Sequence, residues 1–76
     1  MVKQFTLDDG YRMLTAYAEG STDEVIARYY GCSTRTVRRM MLDLQTHSRT
    51  RNRVNLVAWA MLHGKIRPAL PRSVES

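Results

Sequence analysis

Residues 23–42 read DEVIARYYGCSTRTVRRMML, and their spacing decides the fold. Ala27, Gly31 and Val37 fall four and then six positions apart. A small residue at 27 lets a second helix cross closely. A glycine at 31 suits a tight turn that needs positive φ. An apolar residue at 37 faces back onto the first helix. Ile26, Tyr30, Cys32 and Met40 take the remaining inward positions. Together these residues predict a helix-turn-helix whose second helix enters a DNA major groove.

Composition agrees with a small intracellular domain. A chain of 76 residues makes one domain, and at that size only about 60% of the unfolded surface is buried. That leaves little room for a long catalytic cleft. A hydrophobic fraction of 43% is ordinary for a folded soluble chain. No apolar run approaches the ~18 residues of a membrane span, and residues 1–20 carry no signal-peptide pattern. The single cysteine, Cys32, excludes an intramolecular disulfide and suits a reducing cytoplasm.

The net charge of +5 is unevenly spread. Residues 1–27 hold two basic and five acidic side chains, whereas residues 28–53 hold seven arginines, no lysine and one aspartate. A localised basic surface is the footprint of a polyanion-binding protein. A solvated charged face is the commoner meaning of such a run. The exclusive use of arginine weighs against it, because the guanidinium fork suits phosphates and guanine edges.

The helix boundaries are readable from caps and periodicity. Thr6 with Asp9 marks an N-cap, and Leu7, Tyr11, Leu14 and Ala18 recur as one apolar stripe over about twelve residues. Gly10 inside that helix costs about 1 kcal/mol relative to alanine. Gly20 ends it. Ser21 and Glu24 form a capping-box pattern, with Thr22 as the alternative cap, for a second helix over 23–30. The free N–H groups at its start suit a phosphate. Gly31-Cys32 is the turn, and Ser33 caps a third helix over 34–46.

On a helical wheel of that third helix, Val37, Met40, Met41 and Leu44 share an arc of about 100°. Thr34, Arg35, Arg38, Arg39, Leu42 and Gln45 share the opposite one. Leu42 lies among the arginines, where it could touch a thymine methyl. After the polar connection 47–51, Thr50 or Asn52 caps a fourth helix running to about His63, with Gly64 beyond. That helix is apolar nearly all round. Leu56, Val57 and Ala60 lie on one side, Val54, Ala58 and Met61 on another, and Trp59 and Leu62 on the flanks. A terminal helix of so small a domain shows one face to its own core, so the other needs a cover. A second copy packed about a two-fold axis is the expectation, through Val54, Ala58, Met61 and Leu62. A tail folded back over the helix is the alternative. Residues 1–5 and 67–76 read as flexible ends around a domain at 6–66, with Ile66 able to reach the core.

The chain resembles the stand-alone LuxR/FixJ-type (GerE-like) DNA-binding domain from Thr6 to Ile66, without gaps. The resemblance is carried by Ala18-Glu19-Gly20, Ile26-Ala27-Arg28, Ser33 with Thr36-Val37-Arg38, and Arg51-Asn52-Arg53-Val54 leading through Leu56-Val57 and Ala60 to Gly64. It implies an all-α fold of four helices that dimerises through the last one. It also implies that Arg38, Arg39 and Leu42 face bases, while Arg35, Thr36 and the start of the second helix hold phosphates. Two departures stand out. Asp8, Asp9 and Gly10 replace the family's usual L-T-x-R-E region. His47-Ser48-Arg49-Thr50 replaces its usual K-L-G-V, so the joint before the fourth helix is altered, and the dimer angle with it. The family's members are commonly fused to a receiver or autoinducer-binding domain; at 76 residues no such domain is expected here.

The expectation is therefore a homodimeric, sequence-specific transcription regulator of double-stranded DNA, bacterial or phage, in the cytoplasm or nucleoid. Arg38, Arg39 and Leu42 would read bases. Thr22, Thr34, Arg35, Thr36, Arg49 and Arg51 would hold phosphates. Two rivals stand beside it: a protein-interaction module for a larger regulator or RNA polymerase, and a phage architectural DNA-binding protein. No cofactor, metal or catalysis is expected. His47, His63 and Cys32 lack zinc-site spacing. Asp23 and Glu24 suit a helix start better than a catalytic pair. Cys32 and the pair Tyr29-Tyr30 suit packing.

Overall fold

The computed structural model describes residues 4–69. Among them the chain forms α1 (Leu7–Ala18), α2 (Asp23–Tyr30), α3 (Thr34–Ser48) and α4 (Arg53–Leu62), with no strand. The fold is all-α, of helix-turn-helix type.

Each helix opens on a polar cap that satisfies an N-terminal amide: Thr6, Thr22, Ser33 and Asn52. At α1 the capping box is complete, since Asp9 Oδ2 also accepts from the Thr6 N–H at 2.9 Å. The expected Ser21–Glu24 box does not form. Thr22 caps α2 instead, its Oγ1 accepting from Val25 N–H at 3.2 Å. The physical reason lies one helix back. The Ser21 N–H donates to Ala16 O at 2.9 Å, and Gly20 N–H to Tyr17 O at 3.0 Å. Ser21 is thus committed to closing α1, and the cap of α2 moves one residue on.

The ends of α2 and α3 both turn through the left-handed region, but with different residues. Gly31 (φ 68°) ends α2, with Cys32 N–H donating to Ala27 O at 2.9 Å. Arg49 (φ 60°) ends α3, with Thr50 N–H donating to Gln45 O at 3.0 Å. The two turns have the same shape, but an arginine there carries the strain that glycine avoids. Side chains hold the second in place. Ser48 Oγ donates to Gln45 O at 3.3 Å and lies 2.9 Å from Thr50 Oγ1. Gln45 Nε2 donates to Arg51 O at 3.4 Å. These bonds carry α3 to Ser48, two residues beyond the expected end at 46.

The core draws on every helix: Met13 and Leu14, Ile26 and Ala27, Val37, Met41 and Leu44, Leu56 and Ala60, closed by Ile66. Complete burial of side chains of the Leu, Ile or Met class stabilises by roughly 1.5–3 kcal/mol each. α3 is the axis of the packing, touching α1, α2 and α4. Gly10, a local cost in the sequence, explains how α1 approaches it. A Cβ at residue 10 would sit 3.3 Å from Met40 Cε and 3.4 Å from Leu44 Cδ1. Leu7, expected in the apolar stripe of α1, stays half exposed at the first position of that helix.

Beyond α4, Lys65 N–H donates to Ala60 O at 2.7 Å and Ile66 is buried. The Ala69 N–H then donates to Glu19 Oε2 at 2.7 Å. The chain through residue 69 therefore crosses to the end of α1. Val54, Ala58, Met61 and Leu62 remain exposed among the described residues. Most of the tail expected to be flexible, residues 70–76, lies outside them, as do residues 1–3.

Candidate nucleic-acid interface

Burial of Val37, Met41 and Leu44 fixes the rotation of α3 and sends the opposite face to solvent. On that face Arg35, Thr36, Arg38, Arg39 and Leu42 line one shallow recess. The three arginines are exposed, and Leu42 keeps 55% of its surface accessible. Among the described residues none of the three guanidinium groups has a carboxylate partner. Their donors are left to water or to an anionic ligand. Thr36 is half-buried at the rim, and its Oγ1 lies 3.2 Å from the Oγ of the cap residue Ser33.

The other expected phosphate residues lie outside that recess. Thr22 is exposed at the start of α2 with its hydroxyl in the cap. Thr34 is half-buried in the first turn of α3, and Arg49 and Arg51 are exposed in the joint that follows α3. Val54 (72% exposed) and Leu62 (83%) dominate a separate apolar surface on α4, with Met61 and Ala58 beside them.

One pair of residues was invisible to sequence reasoning. Arg53, at the first position of α4, grips Asp23, at the first position of α2. Nη1 donates to Oδ1 at 2.6 Å and Nη2 to Oδ2 at 2.8 Å. The fork is bidentate, the strongest geometry for such a pair, and both side chains are about four-fifths covered, at 19% and 21% exposure. Arg53 also lies over the Tyr17 ring, 4.8 Å from its centroid. The hydrogen bonds from Arg53 hold the Asp23 carboxyl below its usual value, although burial opposes them, and the charge of Arg38 adds to the depression. The same bonds raise the Arg53 guanidinium further, again against burial. Thirty residues separate the partners, and neither helical spacing nor composition links them. The basic count over 28–53 thus includes one arginine that is already neutralised.

Burial raises the phenols of Tyr11 and Tyr30, which stay neutral. Among the described residues no three His, Cys, Asp or Glu side chains gather into a metal-binding group. No described helix is long and apolar enough to cross a membrane.

The family of homeodomain-like domains matches residues 11–55, more than half of the chain, and the chain belongs to that family. The match begins inside α1, takes in all of α2 and α3, and ends on the third residue of α4. Helix-turn-helix domains of this kind are typically DNA-binding modules without catalytic activity. No curated protein and no solved structure matches.

Proposed function

We propose that the protein is a sequence-specific regulator of transcription that binds double-stranded DNA as a homodimer. The observation that carries the reading is the recess of Arg35, Thr36, Arg38, Arg39 and Leu42 on α3, basic and free of carboxylate partners. An α-helix fits the major groove, and arginines near its N-terminal half reach guanine O6 and N7 bidentately. In this reading Arg38 and Arg39 read bases and Leu42 meets a thymine methyl. Arg35, Thr36, Thr34 and Thr22 bond phosphates on one flank, and Arg49 and Arg51 on the other.

The dimer is proposed through α4. Its core-facing side is filled by Leu56 and Ala60, while Val54, Ala58, Met61 and Leu62 face outward. Two recognition helices would then meet half-sites about 34 Å apart. The finer assignment, a LuxR/FixJ-type domain in a bacterial or phage cytoplasm, draws support from this fourth helix, most of which lies beyond the homeodomain-like match. The same apolar surface favours a second reading, a module whose α4 binds a larger regulator or RNA polymerase.

Selection of bound duplexes from random-sequence DNA, with the mass of the free and bound protein measured in the same buffer, separates these readings. A recovered consensus with two-fold symmetry and two chains per duplex supports the dimeric regulator. Steep salt dependence without a consensus supports an architectural role. No salt-sensitive binding at all leaves the protein-interaction module.

A further inference from the structure

α4 is held to the rest of the domain unevenly. Its buried residues are Leu56 and Ala60, and the helix packs on α1 and α3. Among the described residues it does not pack on α2. An open groove lies there instead, lined by Tyr17 and Ala18 of α1, Thr22 before α2, and Val54 and Val57 of α4. Arg53 bridges α4 to α2. Its guanidinium grips both Asp23 oxygens at 2.6 and 2.8 Å and lies 4.8 Å from the centroid of the Tyr17 ring. Just upstream, Gln45 Nε2 of α3 donates to Arg51 O at 3.4 Å. The N-terminal end of α4 is therefore tied to all three other helices. Val54, the residue after Arg53, opens the apolar face and is 72% exposed.

The groove leaves room for α4 to tilt, and the fork opposes that tilt. A bidentate pair fixes direction as well as distance, because turning either helix breaks two parallel bonds together. In a dimer built on α4 the consequence is large. With half-sites about 34 Å apart, each recognition helix stands roughly 17 Å from the two-fold axis. A tilt of about 10° over that arm moves the helix by about 3 Å, close to one base-pair step.

We propose that the Asp23–Arg53 fork determines which half-site spacing the homodimer accepts, by fixing the angle between the pairing helix α4 and the helix-turn-helix. Asp23 and Arg53 are positioning residues in this role, and neither touches DNA. The inference rests on the reading of the protein as a DNA-binding dimer paired through α4. It adds the residues that select spacing rather than bases.

The test takes the half-site recovered by selection from random DNA and places it in inverted pairs, from about two base pairs closer to about two further apart than the selected arrangement. A duplex with a single half-site is the control. The wild-type dimer favours one spacing by about 10-fold over its neighbours, because a misplaced second half-site no longer adds to the first. Arg53→Lys keeps the charge but cannot form the fork. Asp23→Asn keeps the shape but leaves one oxygen to accept where there were two. Each variant still sediments as a dimer and binds the single half-site as the wild type does, but discriminates between spacings by about 3-fold or less. The double variant is no flatter than either single one, since both remove the same bridge.

A tie that only stabilises the fold predicts instead a loss shared by every spacing and by the single half-site, with the spacing profile unmoved. A direct phosphate contact from Arg53 predicts that Arg53→Lys weakens the single half-site while Asp23→Asn leaves the profile as it was. Either result overturns the proposal, as does a wild-type dimer indifferent to spacing. Should Arg53→Lys lose its helical circular dichroism, Asp23→Asn carries the comparison. A monomeric wild type, or one that binds no DNA, defeats the functional reading and the fork's role with it. A dimer whose spacing preference survives both variants defeats the fork's role alone.

Discussion

The outward faces of α3 and α4 are both uncovered, but they are exposed in opposite ways. On α3 the exposed set is Arg35, Arg38, Arg39 and one leucine, Leu42. On α4 it is Val54, Ala58, Met61 and Leu62. Unpartnered guanidinium groups are well solvated and wait for an anion at little cost. Exposed aliphatic side chains gain by leaving water, at roughly 25 cal/mol per Å². The first face suits a polyanion that comes and goes with salt, and the second suits a lasting apolar partner. The difference divides the labour proposed here: α3 reads and α4 pairs.

The largest expected effect breaks the division from the α4 side. Val54→Glu with Leu62→Glu should leave each domain folded, since both residues are exposed and surface changes usually shift stability by about 0.5 kcal/mol or less. If α4 pairs two copies, the same change yields a monomer. Its affinity for a two-half-site duplex then drops by about 100-fold or more, as the second half-site no longer adds to the first. Sedimentation and a binding isotherm on one sample check both halves. A monomeric wild type would remove the α4 dimer from the reading.

Arg38→Ala tests the α3 side and should cost ~1–3 kcal/mol while relaxing preference at one base pair. An equal loss on every sequence would make Arg38 a phosphate ligand instead.

A smaller effect concerns the Asp23–Arg53 fork that ties α2 to α4. Hydrogen bonds to charged groups contribute about 1.5–3 kcal/mol, and exposure of about a fifth at each side chain favours the lower part of that range. The Asp23 carboxyl is depressed in the folded chain. Its contribution to stability is therefore fully present above the ordinary carboxyl value of 3.8 and is lost as pH falls through the lower folded value. Thermal midpoints at pH 7 should fall alike for Asp23→Asn and Arg53→Ala, and both variants should lose that acid-side dependence.

The smallest effect lies in the joint between the two faces. Arg49→Gly relieves a left-handed arginine and should stabilise by about 1 kcal/mol. It should also reduce the slope of log affinity against log salt by about 0.9, the share of one phosphate contact. A rise in the melting midpoint with no change in slope would take Arg49 out of the DNA interface.

Local chemistry made most of the fold legible. The caps at Thr6 and Ser33, the turn at Gly31, and the span 23–30 of α2 all follow from residues that satisfy amides or tolerate positive φ close by, and for α4 the same chemistry leaves Thr50 or Asn52, of which Asn52 takes the cap. The arcs of α3 likewise anticipated the buried Val37, Met41 and Leu44 and the recess opposite them. Where the reading of the chain erred, two local signals competed. Ser21 could cap α2 or close α1, and only the bond to Ala16 O decides it. The span of α3 ran short because its end is held by side-chain bonds among Gln45, Ser48 and Thr50, which no periodicity announces.

By itself, then, the sequence determined the number of helices, their order and which side of α3 faces outward. Each depends on contacts within one or two turns, and a 3.6-residue period records them. Tertiary structure alone decided three other things. Gly10, a liability in an isolated helix, became the place where α1 meets Met40 and Leu44. Ala69 came to rest on Glu19. And Arg53, one of seven arginines in a basic run, became the partner of an aspartate thirty positions earlier. Such contacts depend on how helices are placed relative to one another, and that placement appears only when the whole core closes around α3.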